Sequence, residues 1–119
     1  MRALVCPELG GEEVLEVRDV PSPPCGPGEV RIGARAAAVN FPDLLVIRGE
    51  YQYRYDPPFV PGHECAGPLL EVGSDVDGLA VGDRVLAMCG TGAFAEEVVC
   101  DTTGRRNQVF RIPDAMPFD

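Results

Sequence analysis

Four polar side chains that bear on a possible site lie close together in the chain: Asn40, Asp43, Tyr51 and His63. Asn40 carries a carbonyl acceptor and two N–H donors. It stands where a side-chain oxygen can cap a helix, with Pro42 near the first turn and Leu44, Leu45 and Ile47 following. Capping and holding a reactant do not exclude each other. Asp43 falls in the first turn, where the helix dipole favours an acid, so it fixes the helix start or pairs with an arginine. The helix should end near Gly49, and Tyr51 follows by a single turn of loop. A phenol there can donate a hydrogen bond or a proton to an oxygen that gains negative charge. It can equally be a half-buried rim tyrosine with its hydroxyl in water. His63 reads as a hydrogen-bonded histidine at the start of a strand beside the pocket, and Glu64 as a partner for Arg48 or Arg54. Tyr53 and Tyr55 read as loop packing.

A second pattern promises chemistry without the setting for it. Gly90-Thr91-Gly92-Ala93-Phe94-Ala95 fits G-x-G-x-x-A after a predicted strand, the form of a dinucleotide fingerprint. That fingerprint needs a helix directly after the glycines within a βαβ unit of about 30 residues. Here Glu96-Glu97-Val98-Val99-Cys100 reads as strand, and only 27 residues follow Gly92. The five cysteines, Cys6, Cys25, Cys65, Cys89 and Cys100, are odd in number and contain no C-x-x-C pair. A full disulfide framework is excluded, and the thiols read as small buried hydrophobes in a reducing compartment. All ten basic residues are Arg, which removes lysine from any catalytic role.

The elements that must position these residues are short strands. Fourteen Gly and twelve Pro punctuate brief apolar segments without forming a repeat. Strands are predicted at 2–6, 14–20, 30–38, 64–72, 84–88, 94–100 and 109–112, with one short helix after Asn40. Seven short strands suggest a barrel or sandwich. Residues 21–28 hold four Pro and two Gly, cannot supply a hydrogen-bond ladder, and should be an exposed connection. Residues 51–61 alternate three Tyr with charged residues and Pro, a composition suited to an ordered aromatic loop that walls a pocket.

With 119 residues the chain has room for one domain and one core. No apolar run approaches the roughly 20 residues of a membrane span, and the N-terminus lacks the basic-then-apolar form of a secretory signal. A cytoplasmic location is expected. The net charge of −9 disfavours nucleic acid as a partner, because no basic surface would release counterions from phosphates.

Several short patterns, in order, align with one family. They are Glu29-Val30-Arg31-Ile32, Asn40-Phe41-Pro42-Asp43, Gly49-Glu50-Tyr51, Pro61-Gly62-His63-Glu64-Cys65-Ala66-Gly67, Glu71-Val72-Gly73, Gly82-Asp83-Arg84-Val85 and Gly92-Ala93-Phe94-Ala95-Glu96. Together they resemble the N-terminal, GroES-like domain of the medium-chain dehydrogenase/reductases, from about Arg2 to about Pro113. The resemblance implies a mainly β fold: a GroES-like barrel of short, mostly antiparallel strands with one short helix, filling residues 1–119. The Rossmann nucleotide-binding domain that follows in that superfamily is expected to be absent from this chain. Alone, the chain should bind nicotinamide poorly or not at all.

Within the superfamily the pattern is similar to the zinc-free quinone oxidoreductase and enoyl reductase branch, because Asn40 stands where alcohol dehydrogenases carry a zinc-binding cysteine. In resembling proteins this position faces the nicotinamide and the substrate oxygen, which implies a catalytic and cofactor-binding Asn40. A tyrosine matching Tyr51 is the proton donor proposed for related enoyl thioester reductases. The implied cofactor is NADPH, the implied partner a small quinone, enal or enone, and no zinc is expected. His63 and Glu64 do match the zinc-ligand Gly-His-Glu pattern, yet three protein ligands are needed and only Cys65 or Asp43 can be added. The cysteines after Val85 are too few for a structural zinc. Two further readings stand beside the oxidoreductase half: a free-standing non-catalytic barrel acting as a binding or interaction module, and a fragment of a zinc-dependent alcohol dehydrogenase.

Overall fold

The computed structural model describes residues 1–104 and 108–119. Two strands, β1 (Arg2–Val5) and β2 (Glu16–Asp19), pair antiparallel with Arg2 opposite Asp19 and Val5 opposite Glu16. The strand predicted from residue 14 starts later. Glu12–Val14 form one 3₁₀ turn, since the Val14 N–H bonds the Gly11 carbonyl at 3.2 Å and not a strand partner.

The larger sheet contains β3 (Glu29–Gly33), β4 (Ala36–Ala37), β5 (Glu64–Val72), β6 (Arg84–Met88), β7 (Glu97–Asp101) and β8 (Gln108–Arg111). Its order is β7-β3-β5-β6-β8, with β4 also paired to β5, and every pairing is antiparallel. Strands β7 and β8, at the two ends of that order, come back into contact. The single strand predicted at 30–38 is two strands. Ala34 N–H turns to the Glu96 carbonyl at 2.9 Å and Arg35 N–H to the Ala66 carbonyl at 2.8 Å. The chain thereby leaves β7 and continues along β5. The strand predicted at 94–100 begins only at Glu97, because the Phe94 and Glu96 N–H groups are already bonded to the Pro61 and Arg2 carbonyls, at 3.0 and 3.1 Å.

Alternation along the strands builds the core. Val30 and Ile32, Cys65 and Leu69, Val85 and Ala87, Val98 and Cys100 all face inward and are buried. Each fully buried aliphatic side chain contributes about 1.5–3 kcal/mol relative to exposure.

The one α-helix, α1 (Phe41–Ile47), buries Val46 and Ile47 and starts at Asn40. Its end is fixed by Gly49, whose φ of +70° suits glycine. The Gly49 and Glu50 N–H groups bond the Val46 and Leu45 carbonyls, at 3.0 and 2.9 Å. The helix therefore stops where the sequence predicts, and the chain is handed directly to the tyrosine loop. Residues 21–27 contain no regular element, as the run of prolines requires.

Candidate functional site

The helix start and the strand that follows the tyrosine loop meet at Asp43. It is buried, with only 3% of the residue exposed. One oxygen, Oδ2, accepts the Asn40 backbone N–H at 2.7 Å, the carboxylate half of a capping box. The other, Oδ1, is hydrogen-bonded to Nδ1 of His63. Asp43 therefore fixes the helix start, as its position predicts. It pairs with the histidine, and with no arginine among the described residues.

His63 precedes β5 and is placed by Gly62, which takes φ +102°. A Cβ on Gly62 would sit 2.8–2.9 Å from Phe94 and Ala93, so the close turn into the strand tolerates only glycine. His63 is a hydrogen-bonded histidine at a strand start. Its ring meets the Tyr51 ring edge-on, with centroids 6.0 Å apart and an interplanar angle of 82°. Tyr51 in turn packs edge-on against Tyr53 at 5.8 Å. Tyr55 lies against Phe59 and donates its hydroxyl to the Gly90 carbonyl at 3.3 Å.

These side chains wall a cleft of about 720 Å³. The three tyrosines and His63 form one side, and Met88, Cys89, Thr91 and Gln108 contribute to the rest. The predicted aromatic wall is thus present, with Tyr51 half-buried on it. Asn40 does not line this cleft. It sits between two outward-facing apolar residues, Val39 at 76% and Phe41 at 71% exposure, and is joined to the cleft through Asp43.

Glu64 is directed elsewhere. It lines a separate apolar cleft of about 570 Å³ with Ala36, Ala66, Leu86 and Phe118. Arg48, one of its expected partners, meets Glu12 at 3.5 Å. Among the described residues no three His, Cys, Asp or Glu side chains are gathered as a metal site requires.

The Cys89 thiol donates to the His63 carbonyl at 3.5 Å and neighbours the buried Cys65 thiol. Interaction with the Cys89 side chain pulls the Cys65 thiol down, against the effect of burial. Cys89 is pushed far up, first by its interaction with Cys65 and then by burial. Burial likewise lifts Cys100, to about 12. Cys89, the one cysteine on the cleft, therefore stays protonated near neutral pH and is a poor nucleophile. The Gly90–Ala95 run offers no phosphate cradle: it leads into β7 without any helix.

An antiparallel barrel with one short capped helix is the architecture of a GroES-like domain. Residues 26–114 match the alcohol dehydrogenase GroES-like domain, and the chain belongs to that family, within the medium-chain dehydrogenase/reductases. It is 39% identical over 113 residues to quinone oxidoreductase-like protein 2 of Mus musculus, covering 95% of this chain and 31% of that protein. The human synaptic vesicle membrane protein VAT-1 homolog-like structure superposes with a TM-score of 0.91 at 36% identity, over 99% of this chain and 37% of that one. The Escherichia coli quinone oxidoreductase complexed with NADPH gives a TM-score of 0.89 at 25% identity, over 99% and 35%. The chain thus spans about a third of the length of the relatives it matches. No helix among the described residues is long and apolar enough to cross a membrane.

Proposed function

We propose that residues 1–119 form the substrate-side domain of an NADPH-dependent oxidoreductase that transfers hydride to a quinone, enal or enoyl acceptor, with the nucleotide held by a separate Rossmann domain. The observation that carries this reading is the cleft itself: hydrogen-bond donors and aromatic rings on one wall, beside a buried carboxylate that anchors the site's histidine. Bound NADPH would supply the hydride. This chain's residues orient the acceptor, shield it from water and stabilise the oxygen that becomes negative. Tyr51 donates to that oxygen. Asn40, presented between the exposed Val39 and Phe41 at the helix start, is assigned to positioning the reactants from outside this cleft, beside the helix cap that anchors His63. Relatives described as quinone oxidoreductases support the acceptor class. The donor set supports catalysis without zinc, since His63 and Glu64 face different clefts. Five free thiols favour a reducing, cytoplasmic setting.

The test compares two proteins. The 119-residue chain alone should give no saturable NADPH binding at micromolar concentration by calorimetry. The protein carrying this chain ahead of a nucleotide-binding domain should oxidise NADPH when menadione or a simple enone is added. Tight binding by the chain alone, or no acceptor-dependent oxidation by the longer protein, overturns the reading.

A further inference from the structure

The cleft contains a second proton-active group that hydride transfer has not yet been given a use for. His63 is the only histidine in the sequence. Its Nδ1 is bonded to Asp43, and both oxygens of that buried carboxylate are engaged, one by the imidazole and one by the Asn40 N–H. A carboxylate held in this way fixes the ring's orientation and keeps a proton on Nδ1. Nε2 is then the ring nitrogen left to meet a ligand. The ring lies on the cleft wall beside Tyr51, with its side chain 23% exposed.

We infer that His63 delivers the proton in this cleft, and that Asp43 is its positioning residue. The inference rests on the oxidoreductase reading and deepens it. Hydride arriving at the acceptor leaves an electron pair on the oxygen of a quinol or enolate. The protonated imidazole then gives up its Nε2 proton: the N–H bond breaks and the O–H bond forms. The neutral ring keeps its Nδ1 proton toward Asp43, and a proton from solvent restores the starting state. No reductant beyond the hydride donor is consumed. Tyr51 hydrogen-bonds the same oxygen from the adjoining wall, so one group holds the charge while the other neutralises it.

Because the chain has one histidine, its imidazole gives a single set of ¹⁵N signals. In the 119-residue chain these should report the Nδ1–H tautomer at a pH where the ring is neutral. Asp43→Asn, whose amide can donate to Nδ1, should move the proton to Nε2. In the longer protein, His63→Gln should lower menadione-dependent turnover by about 100-fold or more, with the KM for NADPH within about twofold. His63→Ala should regain part of its turnover when imidazole is added, a response that a purely structural role would not produce. A melting temperature near the parent's separates lost chemistry from lost folding. An active parent whose His63→Gln variant keeps turnover within about twofold overturns the inference alone. A parent that oxidises no NADPH with any acceptor overturns the oxidoreductase reading as well. Activity abolished by chelator and restored by zinc ion would overturn the inference in favour of a metal ligand.

Discussion

Asp43 and His63 are joined across two elements by a buried carboxylate–imidazole contact, so the first turn of α1 and the start of β5 share one anchor. Any displacement of the helix start is transmitted to the histidine ring, and any shift of the ring strains the helix cap. Breaking the contact would also leave the buried Asp43 carboxylate with the Asn40 N–H as its one partner among the described residues, which is costly.

Tyr51→Phe should lower turnover of a quinone or enone in the longer protein while leaving NADPH affinity nearly unchanged. A donor aimed at a developing oxyanion stabilises the transition state more than the ground state. Its loss typically costs about 2–4 kcal/mol, roughly a 30-fold to 1000-fold drop. Steady-state kinetics check this, and turnover within about twofold of the parent would make Tyr51 a packing residue.

Asn40→Ala should behave differently, raising the apparent KM for acceptor or cofactor as well as lowering turnover. Asn40 lies outside the cleft and is linked to it through Asp43 and His63, so the effect expected of its loss is one of positioning. The kcat and KM of this variant, set beside those of Tyr51→Phe, separate the two roles.

Gly62→Ala should destabilise the fold by about 1–3 kcal/mol, because alanine is strained at positive φ and its Cβ would crowd Phe94 and Ala93. Urea denaturation of the 119-residue chain measures this. A loss below about 0.5 kcal/mol would mean that the turn relaxes freely.

Purified protein should contain no stoichiometric zinc after dialysis against chelator, since Asn40 replaces the expected thiolate and Glu64 faces away from His63's cleft. Elemental analysis giving about one zinc per chain would contradict this assignment.

Stability should fall on the acid side. The hydrogen bond from Arg111 holds Asp83 below the usual carboxylate range, and the Arg2 backbone N–H and guanidinium do the same for Glu96. Carboxylates depressed in the fold contribute above their unfolded pKa of about 4 and lose that contribution as pH falls through the folded value. Thermal melts between neutral and acid pH should show a shallower acid slope for Arg111→Gln than for the parent.

The barrel and its helix were legible because their signals are local. Alternation marks the predicted strand at 64–72, which the structure reproduces as β5 (Glu64–Val72), and Asn40-x-Pro42 with Gly49 brackets α1. The ordered patterns that mark the family are likewise readable one by one. Strand breaks at Ala34 and Phe94 were not legible, since they depend on backbone partners at Glu96 and Pro61 far along the chain. The Asp43–His63 contact was missed for the same reason. Each residue had a sufficient local explanation, and only the packing of α1 against the start of β5 brings them together. Met88 and Gln108 reach the cleft through the pairing of β6 with β8, which no spacing rule reveals.

β5 is bonded to β3 and β4 on one side and to β6 on the other, so its amides should exchange with deuterium only when the whole sheet comes apart. His63 stands at the end of that strand and inherits its resistance to opening, whereas Tyr51 stands outside the ladder and can yield at lower cost. Acceptors of different width should therefore be accommodated by displacement of the tyrosine wall, with the histidine as the fixed reference against which each one is seated.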